Sequence, residues 1–314
     1  MSTRHLLDPE LLPFVDATPS IDMSDEALLD ARAGYSEMVV MGDADALGVS
    51  REEIFIACDN APDVRCLVYK PKDSTGKRPG YVHLHGGGYV LGTPELYDVF
   101  NLRTCAELGV VVVSVDYRLA PEYPIPAPLD DSYAALAWLH ENAEELSVDR
   151  SRIAIGGESA GGGLAAALGL KARDEGEYEI CWQQLTFPML DDRTGTDEAQ
   201  GDPQVGEFIW TRASNQYAWG KYLGDSPRAA PQVPSRAESL KGLPATWMLT
   251  AGLDLFRDEN IAYAQRLMTD GVAVDLVVYP SACHAFQNVV DSTLNKRFEA
   301  DFMESLRRGL SIPD

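Results

Sequence analysis

The feature that most constrains this chain is a serine set between a strand-like run and a helix-forming run, with glycine two residues away on each side. Ile153-Ala154-Ile155 leads into Gly157-Glu158-Ser159-Ala160-Gly161, and Leu164-Ala165-Ala166-Ala167 follows. Passing from strand to helix in so few residues requires a sharp turn, and the flanking positions must lack Cβ for strand and helix to approach each other. The serine oxygen then projects off the sheet above a helix N-terminus, where the helix dipole favours negative charge. As an isolated string this is also a glycine-rich turn with an incidental serine. The flanking runs favour the sharp strand-to-helix turn.

Strand and helix alternate on both sides of this turn. Residues 80–84, 110–115, 152–156, 181–187, 246–250 and 274–279 read as strands, and residues 96–108, 129–146, 160–173, 259–268 and 295–308 carry helical spacing. Val110 through Val113 is continuously β-branched, as suits a strand covered on both faces. The alternation predicts an α/β fold, a mostly parallel sheet with helices on both faces. Ahead of it, residues 53–57 and 64–69 flank the turn signal Asp59-Asn60-Ala61-Pro62-Asp63 and predict an antiparallel hairpin.

Two segments break the alternation. Residues 1–50 space apolar side chains helically (Leu6, Leu7, Leu11, Leu12, then Ala27, Leu28, Ala31, Tyr35, Met38) and predict one or two short helices lying over the rest. Residues 188–244 are rich in Asp, Gly and Pro yet carry Phe208, Ile209, Trp210, Tyr217, Trp219 and Tyr222. This stretch is too long for an ordinary loop and predicts an inserted cap packed with the N-terminal segment. The alternating α/β domain is then residues 51–187 together with 245–314.

Charge and cysteine usage narrow the partners. With 26 Lys or Arg against 49 Asp or Glu, the formal net charge is −23. Such a chain is repelled by phosphate backbones and anionic lipid, so neither nucleic acid nor membrane is expected as a partner. The longest apolar runs fall far short of a membrane span. Cysteines stand at 58, 66, 105, 181 and 283 with no Cys-x-x-Cys pair, and the first residues lead into Asp8-Pro9-Glu10 instead of an apolar stretch. Free thiols and a cytoplasmic location are the expectation.

A second glycine-rich block, His85-Gly86-Gly87-Gly88, ends the strand at Leu84. Acyl transfer through a tetrahedral intermediate needs N–H donors converging on one developing oxyanion. A glycine run lets backbone amides turn inward, and the remaining donor would be the amide of Ala160. A phosphate cradle would favour lysine after the glycines, whereas Tyr89-Val90 follow. His83 and His85 form a His-x-His pair without a convincing third ligand, so no metal is expected.

Four blocks together resemble the hormone-sensitive-lipase-like branch of the α/β-hydrolase family of esterases. They are His85-Gly86-Gly87-Gly88-Tyr89, Asp116-Tyr117-Arg118-Leu119-Ala120-Pro121-Glu122-Tyr123-Pro124, Gly157-Glu158-Ser159-Ala160-Gly161-Gly162, and Asp254 with Asp258-Glu259. They fall in the family's order between residues 85 and 284. The resemblance implies the α/β-hydrolase fold, an eight-stranded, mostly parallel sheet with helices on both faces and a helical cap. It also implies a catalytic set in chain order Ser, Asp, His. His284 is the only histidine after Ser159, and Asp254 matches the acid. Asp258 is then read as a helix N-cap with Glu259 in the first turn. The family places the oxyanion at the amides of Gly87, Gly88 and Ala160, with Gly86 shaping the turn. In the 117–124 loop, Arg118 and Glu122 are expected to tie the loop to its neighbours.

Three positions depart from the family pattern. Leu255 stands where proline is frequent, which implies a looser acid-bearing loop. Ala285 follows His284 where glycine is usual, which implies tighter space beside the imidazole. Glu158 replaces the commoner Asp or Thr, and is either a brace for the neighbouring loop or a buried, paired acid.

The expectation is a serine carboxylesterase acting on a small-molecule ester of short to medium acyl chain. His284 accepts the proton of Ser159, Asp254 holds the imidazole, and an acyl-enzyme is hydrolysed by water. Tyr89, Phe208, Trp210 and Leu255 are the candidate pocket-lining residues. No cofactor is needed. The same residues serve an amidase or a lactone hydrolase, and a chain of this branch without turnover serves as a ligand-binding receptor. The resemblance implies a homodimer, with residues 274–279 as the sheet edge that pairs with a copy.

Overall fold

The computed structural model describes residues 2–18, 20, 22–58, 61–73 and 76–313. Eight strands form one sheet: β1 (Val49–Ile56), β2 (Val64–Pro71), β3 (Arg78–Leu84), β4 (Val111–Asp116), β5 (Val148–Glu158), β6 (Trp182–Thr186), β7 (Ala245–Ala251) and β8 (Val274–Tyr279). Their spatial order is β1-β2-β4-β3-β5-β6-β7-β8. The β1–β2 and β2–β4 pairings are antiparallel and the remainder parallel. This is the α/β-hydrolase fold the sequence implied, and the β1–β2 hairpin is present. Asp59 and Asn60 of its expected turn lie outside the described residues.

The helices are α1 (Leu12–Ala17), α2 (Asp25–Glu37), α3 (Asp98–Leu108), α4 (Ala127–Glu141), α5 (Ala160–Glu175), α6 (Arg212–Leu223), α7 (Arg257–Thr269) and α8 (Thr293–Gly309). Side chains alternate across each strand, so β4 sends Val111, Val113 and Val115 into one core and Val112 into the other. The first core holds the apolar faces of α4, α5 and α7 (Leu136, Leu164, Leu267), and the second those of α3 and α8 (Leu102, Phe298, Phe302). Burial on both faces explains the unbroken valine run.

Several boundaries differ from the sequence reading: β1 starts at Val49 and not at 53, inside the segment read as cap, and α4 and β5 shift as well. Helix α4 stops at Glu141 instead of running to 146; Asn142 caps it, its backbone and side-chain amides both donating to the Trp138 carbonyl. Strand β5 starts at Val148, four residues earlier than expected. Its pairing with β3 jumps from Arg78↔Val148 to Gly80↔Ile153, so the polar residues between them lie off the regular register.

The N-terminal segment and residues 188–244 bond to each other. Thr3 donates to Glu207, the amide of Ile209 to the Ser20 hydroxyl, Thr211 to Asp22 and the amide of Met23 to Ser214. Asp25, in the first turn of α2, accepts from Tyr217 and pairs with Lys221 of α6. Among the described residues, no helix is long and apolar enough to cross a membrane.

Candidate active site

Ser159 sits at the junction of β5 and α5 with φ +56 and ψ −120, outside the regions that side-chain-bearing residues ordinarily occupy. Strain of this kind is held in place by its surroundings. Here the Ser159 amide donates to the Thr186 carbonyl, and the Ser159 carbonyl accepts from Gly163 and Met189. A Cβ at either Gly157 or Gly161 would collide with the Leu84 carbonyl. The two glycines are therefore needed for one reason, the approach of β3 to the turn.

Asp254 and His284 reach the serine from two adjacent loops. Asp254 follows β7 and His284 follows β8. The loops are stitched together by Gly252 N–H to the Tyr279 carbonyl and Leu253 N–H to the Ala282 carbonyl. The imidazole Nδ1–H donates to Asp254 Oδ2 at 2.7 Å, and Nε2 faces Ser159 Oγ at 2.9 Å. Three side chains distant in sequence thus form one hydrogen-bonded row. Asp254 is fully buried, and Ser159 and His284 are only 6% and 5% exposed. Phe187 and Phe256 meet the imidazole edge-on, and Trp210 lies 6.4 Å from it centroid to centroid.

The acid-bearing loop is firm despite Leu255. The second carboxylate oxygen, Asp254 Oδ1, accepts the Phe256 amide at 3.1 Å, and the Asp254 carbonyl accepts the Arg257 amide. Asp258 is not the helix N-cap that the sequence suggested. Helix α7 begins at Arg257, two residues before the expected start at 259, and the Asp258 carboxylate pairs with the Arg257 guanidinium. Glu259 does more than sit in a first turn: it accepts from the Leu190 amide and from the Thr194 hydroxyl, and burial pushes its carboxyl well above the ordinary value. Ala285 has left-handed backbone, φ +58. Glycine adopts that conformation without the cost a Cβ brings.

Gly87 and Gly88 both have positive φ, +129 and +62. A Cβ at Gly87 would strike the Leu91 carbonyl, and one at Gly88 would strike the Trp210 ring. Gly86 is spent on the turn, its amide donating to the Tyr97 hydroxyl at 3.3 Å. Tyr117 donates to the His85 carbonyl, and its ring stacks on the His85 imidazole at 4.2 Å. Burial lowers the His85 pKa to about 4, so the ring is neutral.

The four expected lining residues take different places. Trp210 covers Gly88 and borders the imidazole. Leu255 is buried against Gly206, and Phe208 is buried in the core that also holds Phe187. Tyr89 is fully buried against α6. Its ring stacks on Tyr222 at 3.9 Å, and its hydroxyl donates to the Met189 carbonyl. Arg118 pairs with Asp131 and Glu122 with Arg32, as expected of that loop.

The sequence reading paired His83 with His85 and left Glu158 open. The structure separates the two histidines and joins His83 to Glu158. His83 Nε2 lies 3.0 Å from Glu158 Oε2, while Nδ1 faces the Ser114 hydroxyl and the Asn101 amide. All four side chains are buried.

A cavity of about 480 Å³ lies beside the glycine loop, bounded by Arg32, Tyr35, Leu96, Tyr117, Arg118 and Tyr123 among others. Ser159, Asp254 and His284 are not in its wall, and its arginines are engaged with acids.

A protein-family model described as the alpha/beta hydrolase fold matches residues 81–288. The chain is 33% identical over 290 residues to the carboxylesterase NlhH of Mycobacterium tuberculosis, covering 91% of this chain and 90% of that protein. It is 39% identical over 240 residues to the carboxylic ester hydrolase LipN of the same organism, which is 73% of this chain but only 62% of LipN. Among solved structures, a bacterial heroin esterase is similar with a TM-score of 0.91 at 40% identity, covering 98% of this chain and 99% of that one.

Proposed function

Because the chain belongs to the α/β-hydrolase family, in its hormone-sensitive-lipase-like branch, we propose that it is a serine carboxylesterase hydrolysing short- to medium-chain carboxylic esters. The observation that carries this reading is the row Asp254–His284–Ser159, with hydrogen bonds of 2.7 and 2.9 Å. His284 Nε2 takes the Ser159 proton as Oγ attacks the ester carbonyl, and the imidazolium formed is stabilised by Asp254. The tetrahedral oxyanion is held by the amides of Gly87, Gly88 and Ala160, each donor contributing on the order of 3 kcal/mol to the transition state. The imidazolium then protonates the departing alkoxide. Water, deprotonated by His284, releases the acid from the acyl-serine. These residues supply the whole reaction without a cofactor.

Trp210, lying on Gly88 and beside the imidazole, narrows the space in front of the serine. It supports small acyl groups, with Phe208 and Leu255 as further wall. The intact row favours turnover over a role as a receptor that only holds ligand. Residues 1–50 and 188–244 act together as the cap over this space. Five free thiols suit a reducing compartment such as the cytoplasm, and the open edge of β8 is where a second copy would pair.

The test is a chain-length series of p-nitrophenyl esters, with matched anilides and lactones, on the wild-type chain and Ser159→Ala. Ester turnover that peaks at short chains and disappears in the variant is expected. Faster anilide or lactone turnover assigns the site to those substrates instead.

A further inference from the structure

Helix α2 lies directly on the glycine loop, and one side chain carries the polar contact between them. Leu28 of α2 packs with Val90, Leu91 and Ala120. Above this small core the Arg32 guanidinium spreads over three acceptors. Its Nε–H donates to the Val90 carbonyl and an Nη2–H to the Ala120 carbonyl, both at 2.9 Å. The same group pairs in a fork with Glu122 at 2.7 and 2.8 Å.

The two carbonyls belong to the frame of the oxyanion-binding turn. The amides of Val90 and Leu91 both donate to the Gly87 carbonyl, and the amide of Ala120 donates to the Tyr89 carbonyl. Arg32 therefore holds residue 90 directly and residue 89 through Ala120, immediately after the Gly87–Gly88 amides. The other end of α2 is tied by Asp25 to Tyr217 and Lys221 of α6. Helix α2 thus bridges the inserted segment that carries Trp210 and the loop that carries the oxyanion donors.

We propose that Arg32 is a positioning residue for the oxyanion-binding loop, coupling the seating of helix α2 to the ester hydrolysis assigned above. It rests on that assignment and adds to it a link between cap and catalysis. Glu122 has a minor share. Its side chain is 53% exposed and the pair is open to water, where such pairs contribute little. The planar guanidinium is essential, because a lysine ammonium is a point charge that cannot serve both carbonyls in one plane.

The experiment compares wild type, Arg32→Ala, Arg32→Lys and Glu122→Gln. Active sites are counted by the burst with diethyl p-nitrophenyl phosphate. Steady-state rates are measured on p-nitrophenyl acetate, and inhibition by a trifluoromethyl ketone, which binds as a tetrahedral oxyanion adduct. Both Arg32 variants are expected to lose about tenfold or more in kcat per titrated site, with KM within about threefold of wild type. The ketone Ki rises by the same factor as kcat falls, methylguanidine restores part of the Arg32→Ala rate, and Glu122→Gln stays within about threefold of wild type. Unchanged kcat per titrated site, or an unchanged ketone Ki with raised KM, overturns the proposal. If Arg32→Ala yields no titratable sites, Arg32→Lys decides by the same criteria. Ser159-dependent turnover in wild type with normal Arg32 variants removes this proposal alone, whereas its absence in wild type removes the esterase assignment and this proposal together.

Discussion

The imidazole of His83 donates from Nε2 to the carboxylate of Glu158, the residue before the nucleophile, at 3.0 Å. The tautomer follows from the partners on the other side. Nδ1 faces the Asn101 amide nitrogen, which can only donate, so Nδ1 accepts and Nε2 carries the proton; the Ser114 hydroxyl beside it can donate or accept. The couple links β3, β4 and α3 to the turn that strains Ser159.

A buried acid left without its partner is costly, whereas neutralising the acid keeps a hydrogen bond and removes a charge. His83→Leu is expected to lower stability by about 3 kcal/mol. Glu158→Gln, whose amide oxygen still accepts from His83, should change it by about 1 kcal/mol or less. Urea denaturation of both variants checks the order, and a Glu158→Gln loss exceeding that of His83→Leu would contradict it.

Ala285 carries a φ of +58, a conformation that costs a residue with a Cβ about 1 kcal/mol or more. Ala285→Gly is expected to raise the unfolding free energy by about 0.5–1 kcal/mol, after the extra flexibility glycine gives the unfolded chain. Thermal and urea midpoints measure it. A drop in both would show that the methyl group contributes packing that outweighs the strain.

Burial holds His85 neutral with its pKa lowered to about 4 from 6.5. Between these two values the unfolded chain binds a proton that the folded chain refuses, so stability falls as pH drops through that window and is fully kept above it. The contribution at stake is about 3 kcal/mol. His140, whose pKa burial also lowers, acts in the same direction. Urea midpoints from pH 7 to pH 4 should decline, and His85→Gln should flatten part of that slope. An unchanged slope in the variant places the acid sensitivity elsewhere.

Trp210 and Gly88 touch so closely that no Cβ fits between them. Gly88→Ala should push the loop or the ring aside and lower kcat/KM by about 100-fold, the scale of losing one oxyanion donor. Trp210→Ala should recover part of that loss when combined with Gly88→Ala. Strict additivity of the two changes would show that the ring is not what the methyl group meets.

Much of this was readable in the sequence because it is local. The apolar runs at 110–113 and 153–155 mark strands buried on both faces. The two glycines around Ser159 report a close approach that the structure traces to one carbonyl, that of Leu84. The order of Ser159, Asp254 and His284 came from the family resemblance, and the structure places the three after β5, β7 and β8. What the sequence did not give depends on distant partners. His83 meets Glu158 only because β3 and β5 pair in parallel, with His83 opposite Gly156. Tyr89 looks like a pocket residue beside three glycines, yet its positive φ of +64 turns the ring toward Tyr222. Asp258 has the side chain of an N-cap, but Asp254 already accepts the amides that start the α7 turn. Arg32 has no motif around it, and its role emerges only where α2 comes down on Val90 and Ala120.

The central claim is that Ser159 is the nucleophile of an ester-hydrolysing row with His284 and Asp254. The most direct measurement is mass mapping of the chain after reaction with a fluorophosphonate, alongside p-nitrophenyl acetate turnover. One adduct per chain on the peptide containing Ser159, with turnover lost in proportion to labelling, is the predicted result. Turnover that persists in fully labelled protein, or an adduct on a different serine, would contradict it.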